Sequence, residues 1–166
     1  MITGAWVPEP WGTKLVKEAN GRIFLDERVF WPQGEYVTAH IIARTDYLVN
    51  NPETIKKFLA ANTDETIWIN SHKSEAMQLV NEQLKALTGH IIETDELKQA
   101  WSRIEFTYDP IKSSLLKSAD EALKLGFLRT QSNPTRIYDL TLLNTVLEQK
   151  GLQPILERDQ TSTILR

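Results

Sequence analysis

The chain has 166 residues, of which 41% are hydrophobic and 25% are charged, and its formal net charge is −3. This length and composition are typical of one globular domain with a core of its own. The acidic balance, with Lys and Arg scattered along the chain, argues against a nucleic-acid partner and against binding to an anionic membrane. Because the sequence contains no cysteine, disulfide bonds, zinc–thiolate sites and thiol nucleophiles are excluded.

Neither a targeting segment nor a metal site is evident in the sequence. No apolar run reaches the length of a transmembrane helix, and the first residues lack the basic segment and apolar core of a signal peptide. The three histidines, His40, His72 and His90, lie too far apart in the sequence to match a metal-binding spacing. We therefore expect neither a metal nor a cofactor.

The first part of the chain predicts a helix followed by strands. A short helix is expected over residues 9–20, because a proline can occupy its first turn and Gly21 can end it. Residues 22–27 are a brief β-prone run. Residues 35–44 alternate most clearly, which predicts a strand with one apolar face. That face would be formed by Val37, Ala39, Ile41 and Ala43.

The remainder of the chain predicts mainly helices. One helix is expected to begin with Asn51 as its N-cap and Pro52 at its first position. A second is expected over residues 94–104, with Thr94 as its cap, and residues 104–108 favour an extended conformation. Further helices are expected over residues 73–88, 110–126 and 139–150. The last of them has four apolar residues at helical spacing, Leu140, Leu143, Val146 and Leu147.

Many helices and few short strands make an unbalanced α/β pattern. An isolated strand or hairpin is only marginally stable in water, so the best strand needs neighbours that this sequence hardly supplies. The expected fold class is therefore α/β, as a helix-rich portion of a domain whose sheet is mostly built elsewhere.

Glu9 is the most distinctive candidate for a functional side chain. It lies between Pro8 and Pro10, and Trp6 and Trp11 flank this turn. In one interpretation the carboxylate interacts with the free amides and the dipole at a helix N-terminus. In the other it is presented to a ligand, with the tryptophans as pocket walls rather than core residues. The residues by themselves leave both interpretations open.

Thr38 and His40 lie on the same face of the strongest predicted strand. They could be drawn as a nucleophile and its base, but residues two apart on a strand merely share a face. An ordinary rim or cross-strand histidine is the expected role of His40. Tyr36 and Thr38 are common strand residues by propensity.

Three segments, taken in order, resemble a known family: "GAWVPEPWGTKLVKE", "VTAHIIARTDYLVNNPETIKKFL" and "RIEFTYDPIKSSLLKSADEALKLGFL". They are similar to the C-terminal half of ABC-transporter substrate-binding proteins for aliphatic sulfonates, taurine and nitrate. The resemblance implies a partial two-lobed clamshell of the type II periplasmic binding proteins. It divides the chain into the end of the second lobe with the hinge (1–35), the C-terminal part of the first lobe (36–154) and a tail (155–166).

The resemblance also implies a set of ligand-binding residues. Glu9, Trp11 and Thr38 are its candidate ligand contacts, and the wall of the cleft would be shaped by Trp6, Pro8, Pro10 and Tyr36. Three positions depart from the family pattern, since Val37 replaces a usual proline, Ala39 the second threonine of the pattern and His40 a usual aliphatic residue. The segments that hold the sulfonate group belong to the first half of these proteins and have no counterpart in this sequence.

The function that the resemblance implies is solute binding without catalysis. The expected partners are a small organosulfonate or related anion and the membrane permease of an ABC importer, and the full-length protein is expected in the periplasm or lipid-anchored outside the cytoplasm. One alternative is a relative from thiamine-pyrimidine biosynthesis, whose chemistry needs a histidine- and cysteine-bearing site. Another is a truncated fragment that acts only as an interaction module.

Overall fold

The computed structural model describes residues 3–130 and 137–156. In these ranges 59% of the residues are helical and none belongs to a β-strand. Two short 3₁₀ turns, Glu27–Phe30 and Pro32–Gly34, accompany the α-helices. The helices are α1 (Trp11–Glu18), α2 (Thr45–Asn50), α3 (Pro52–Ser71), α4 (Lys73–Thr88), α5 (Thr94–Trp101), α6 (Lys112–Lys124) and α7 (Thr141–Gln149).

Proline and glycine mark two of the helix boundaries. The end of α4 is at its predicted position, where Gly89 adopts a left-handed φ of 76° and its N–H donates to the Lys85 carbonyl oxygen at 2.9 Å. Pro52 begins α3 as expected. The predicted cap of α5 is wrong, because Thr94 lies within the helix and Glu93 precedes it as the cap residue. None of the described helices combines the length and apolar composition that a membrane span requires.

The strand half of the predicted α/β pattern is wrong for this structure. Residues 22–27, 35–44 and 104–108 were expected to be extended strands, and none of them pairs with another described segment. A strand without a neighbour leaves its N–H and C=O groups to water, which gives it no advantage over an irregular chain. The helix-rich part of the prediction is confirmed.

The segment 35–44 keeps its apolar side chains in contact with solvent. Ile41 is 56% exposed and Ile42 is 84% exposed, so neither face of the alternating pattern is buried. The segment is tied down by a side chain of α6, because the Val37 N–H donates to the buried Ser114 Oγ at 3.1 Å. Residues 35–44 thus have the alternating pattern of a strand, but they form no sheet with the described part of the chain.

The chain divides into two compact units, of which the first comprises Met1–Asp26 and Glu65–Thr107. In this unit α1 packs against α5, and α5 buries Leu97 and Ala100 from one face. After α5 the chain is held by the Asn70 amide, whose Nδ2 donates to the Phe106 carbonyl oxygen at 2.8 Å. The end of α5 is therefore a well-braced position.

The second unit comprises Glu27–Asp64 and Tyr108–Arg166. The last helix supplies its most buried apolar residues, on the face that the sequence predicted: Leu143, Val146 and Leu147. Asn144 holds the chain that follows, since its side chain exchanges two hydrogen bonds with the Ile155 backbone at 2.8 and 3.1 Å. An ion pair between Lys150 Nζ and Asp64 Oδ1 at 2.6 Å joins the end of α7 to α3.

A substitution at Leu147 tests this core. Leu147 is fully buried, so Leu147→Ala removes apolar contacts and leaves a cavity, and we expect it to lower the free energy of unfolding by about 2–5 kcal/mol. The matched control is Leu87→Ala, because the Leu87 side chain is 81% exposed and its loss should change stability by less than about 0.5 kcal/mol. Urea denaturation followed by circular dichroism measures both. Equal losses for the two variants would contradict the assignment of the core.

Candidate functional site

The candidate site lies in the first unit, where the N-terminal turn meets helix α1. The Trp11 N–H donates to the Pro8 carbonyl oxygen at 3.0 Å, which closes the turn around Glu9. The Glu9–Pro10 peptide bond is cis. The Glu9 carboxylate folds back on the first turn of α1, where its Oε2 accepts a hydrogen bond from the Thr13 N–H at 3.0 Å. This contact satisfies one of the unpaired amides at the helix start.

A second partner of Glu9 comes from a distant part of the chain. Arg103 lies just after α5, and its Nη1 donates to Glu9 Oε1 at 2.7 Å, a charge-assisted hydrogen bond. The backbone of Arg103 is itself held, because its N–H donates to the Ala100 carbonyl oxygen at 3.0 Å. Each carboxylate oxygen of Glu9 thus receives a hydrogen bond from a different element.

The contacts of Glu9 determine its charge state. Partial burial of the carboxyl group by itself would raise its pKa, but the hydrogen bonds from Thr13 and Arg103, with the positive charge of Arg103, outweigh burial. The pKa of Glu9 is therefore held below its ordinary value. The side chain is a carboxylate at neutral pH, and it is neutralised locally by the guanidinium.

Gly12 makes the close approach of the carboxylate possible. A Cβ atom at position 12 would lie 3.2 Å from Glu9 Oε1, closer than ordinary van der Waals contact. A side chain at this position would therefore press on the oxygen that Arg103 binds. Beside it, Thr13 is buried and its Oγ1 makes no hydrogen bond with the described part of the chain.

The aromatic residues of the turn are at the surface. Trp6 is 77% exposed and Trp11 is 55% exposed, so neither is a core residue of the described structure. The Lys14 ammonium group lies over the Trp11 ring at 5.6 Å from its centroid, within the range of a cation–π contact. Pro8 is exposed and Pro10 is half-buried at the start of α1.

The other two predicted site residues, Tyr36 and Thr38, belong to the second unit. The Tyr36 ring packs against Trp31 with centroids 4.6 Å apart. Thr38 is exposed. His40 Nε2 lies 3.0 Å from the Pro110 carbonyl oxygen and 3.3 Å from the Tyr138 hydroxyl. The His40 ring therefore makes polar contacts with the segment before α6 and with Tyr138.

Tyr138 completes the group around the Pro110 carbonyl oxygen. Its hydroxyl donates to that oxygen at 3.0 Å. Burial, reinforced by the nearby negative charge of Asp109, raises the pKa of Tyr138 to about 12. The phenol therefore stays protonated at neutral pH and acts as a donor. Within the described ranges, no cluster of acidic or histidine side chains is arranged to hold a metal ion.

Three residues around Glu9, namely Arg103, Gly12 and Thr13, are not among the predicted site residues. Arg103 and Glu9 are 94 positions apart, so no local spacing relates them. Gly12 gave a weak signal, because glycine has a low helix propensity and its presence in a first turn indicates a steric constraint. Nothing in the pattern around Thr13 distinguishes it from other helix residues. The ligand role predicted for Glu9, Trp11, Thr38 and the wall residues remains a prediction.

The model of the NMT1-like family matches residues 1–84, just over half of the 166-residue chain. Such a match defines the class, a substrate-binding protein for a small solute. The chain belongs to the NMT1-like family. The matched range contains Glu9 and Thr38, whereas Arg103 follows it. Searches of curated proteins and of solved structures found no significant match.

Replacement of Glu9 tests the contribution of the carboxylate to stability. Because the pKa of Glu9 in the folded chain lies below its ordinary value of 4.5, the stabilisation is complete above pH 4.5 and is lost as the pH falls through the folded value. At pH 7 we expect Glu9→Gln to lower the free energy of unfolding by roughly 1.5–3 kcal/mol, the usual range for hydrogen bonds to a charged group. Well below the folded pKa, the variant and the unmodified protein should have similar stabilities. Urea denaturation at a series of pH values from 7 downward measures this difference.

The matched control is Asp46→Asn. Asp46 also pairs with an arginine, through Arg44 Nη2 at 2.8 Å, and accepts the Tyr47 N–H at 3.0 Å, but its side chain is 61% exposed. Solvent screens such a pair, so this variant should leave stability nearly unchanged. A Glu9→Gln loss no larger than that of the control, or one that does not shrink as the pH falls, would contradict the assignment.

Proposed function

We propose that the chain is the solute-binding component, or the C-terminal portion of it, of an ABC importer for aliphatic sulfonates, taurine, nitrate or a related small anion. The observation that carries the proposal is the NMT1-like family match, which includes the Glu9 turn and the Thr38 segment. The resemblance of the three quoted segments to sulfonate- and nitrate-binding proteins supplies the choice of ligand. The turn at Glu9 and the arginine beside it supply charged and aromatic groups at the surface of one unit.

The exposed apolar segment 35–44 supports a larger assembly around the binding site. Its alternation fits a strand with one buried face, and in the described structure Ile41 on that face is exposed to solvent. We propose that the sheet is completed by a first lobe, and that ligand binding closes the two lobes by a hinge motion. The first lobe would supply further backbone N–H and hydroxyl donors to the anion.

A binding role without catalysis is part of the proposal. The chain has no cysteine, and two of its histidines are engaged in packing. The His72 ring stacks on Trp68 at 5.2 Å, and the His40 ring contacts Tyr138 and the Pro110 backbone. These contacts suit structural histidines better than the histidine- and cysteine-bearing site of a pyrimidine synthase. The proposed location is outside the cytoplasmic membrane, next to a membrane permease as partner.

Isothermal titration calorimetry tests the proposed function. The protein encoded by the whole gene is titrated with taurine, ethanesulfonate, nitrate and bicarbonate at constant ionic strength. We expect saturable binding of at least one anion, because an oxyanion site requires matched donors that this family would provide. The 166-residue chain is titrated in parallel, and it should bind the same anion more weakly because first-lobe donors are missing.

Two uncharged or cationic compounds serve as controls, dimethyl sulfone and ethylamine. They resemble the anions in size but lack the negative charge, so neither should bind. The proposal fails if none of the four anions gives saturable heat with the whole gene product. It also fails if ethylamine binds as well as the anions.

A further inference from the structure

We infer that Arg103 is the direct contact for an oxyanion ligand, and that Glu9 is a positioning residue that holds the Arg103 guanidinium in place. This inference rests on the proposed function and adds to it the residue that recognises the anionic group. It differs from the expectation drawn from the family resemblance, in which the carboxylate itself faces the ligand. The ligand class is an anion with at least two oxygens that can accept parallel hydrogen bonds, such as a sulfonate, a carboxylate or nitrate.

The exposures of the two side chains favour Arg103 as the contact. The Arg103 side chain is 33% exposed, whereas the Glu9 side chain is only 12% exposed. Glu9 also has both carboxylate oxygens engaged, one by Arg103 and the other by the Thr13 N–H. A ligand that reaches this pair from solvent therefore meets the guanidinium first.

The donor capacity of Arg103 supports the same assignment. A guanidinium carries five N–H donors in a planar fork. In Arg103 the Nη1 group donates one of its hydrogens to Glu9. The remaining donors can bind two oxygens of one anion in parallel, which a lysine ammonium group cannot do with the same geometry.

The role of Glu9 follows from how Arg103 is held. A long arginine side chain loses rotamer freedom when it binds a ligand, and this loss weakens binding unless the side chain is already ordered. The Glu9 carboxylate fixes one end of the guanidinium, and the Ala100 carbonyl oxygen fixes the Arg103 backbone. Glu9 thus prepares the arginine and does not compete for the anion.

A purely structural ion pair is the competing explanation. The same hydrogen bond joins the turn before α1 to the residue after α5, and its loss would loosen that packing. The test must therefore separate loss of stability from loss of anion contact. Variants that keep the positive charge, and a ligand pair that differs only in an amino group, provide that separation.

Calorimetry on the whole gene product, with ethanesulfonate and taurine as ligands, tests the inference. Arg103→Lys keeps the charge and the Glu9 pair but loses the planar fork, and we expect it to weaken the binding of both ligands at least tenfold. Arg103→Gln should weaken binding further. The matched control is Arg44→Gln, which removes an arginine paired with an exposed carboxylate and should leave both affinities within twofold.

The ratio of the two affinities distinguishes Arg103 from Glu9 as the contact. If Arg103 recognises the sulfonate and Glu9 only positions it, taurine and ethanesulfonate should bind within threefold of each other. A strong preference for taurine that disappears in Glu9→Gln would overturn the inference, because it would place the ligand's ammonium group on Glu9. Unchanged affinities in Arg103→Lys and Arg103→Gln would also overturn it.

A measurement on the unmodified protein keeps the test valid if the arginine variants do not fold. The side-chain Nε–H resonance of Arg103 should shift on saturation with ethanesulfonate, and no shift would contradict the inference. In folded Glu9→Gln this ligand-induced shift should be reduced, a change that lower stability alone would not produce. Failure of the proposed function is a different result, since then the unmodified protein would bind none of the anions at all.

Discussion

The ion pair between Glu9 and Arg103 joins two parts of the chain that lie 94 positions apart. Closing a loop of this length carries an entropic cost, so the pair persists only because other contacts hold the same elements together. The packing of α1 on α5 and the backbone hydrogen bond of Arg103 to Ala100 supply those contacts. In the first unit, the position of the N-terminal turn therefore depends on a tertiary interaction more than on local helix propensity.

This ion pair also unites the two interpretations of Glu9. The carboxylate does interact with a helix amide, as an acid at a helix start should, and the Thr13 N–H is its partner. The same hydrogen bonds keep the group ionised and largely covered. An ionised and largely buried carboxylate is well suited to orient a neighbouring cation, here the Arg103 guanidinium. The structural contact therefore favours a supporting role for Glu9 at a site where a neighbouring side chain meets the solvent.

The second unit illustrates how one sequence pattern depends on its surroundings. Residues 35–44 alternate as a strand should, and Ser114 and Pro110 hold the segment through one backbone and one side-chain contact. Alternation encodes which side chains share a face, but a sheet also needs a neighbour for its backbone groups. Because no described segment supplies that neighbour, the apolar residues of this run remain exposed.

The sequence by itself determined the features of this protein that act over short distances. Pro52 set the start of α3 and Gly89 set the end of α4. The fixed φ of proline and the left-handed φ open to glycine are properties of single residues. The apolar spacing of α7 identified its buried face, because helix periodicity places residues three and four apart together.

Only the tertiary structure decided the features that need distant partners. It joined Arg103 to Glu9 in an ion pair. Gly12 leaves room for the Glu9 carboxylate, because a side chain at position 12 would press on its Oε1 atom. The tertiary structure also left the predicted strands unformed. A helix forms its hydrogen bonds between residues that are close in sequence. A strand and an ion pair depend on partners that are distant in sequence, and no local pattern identifies those partners.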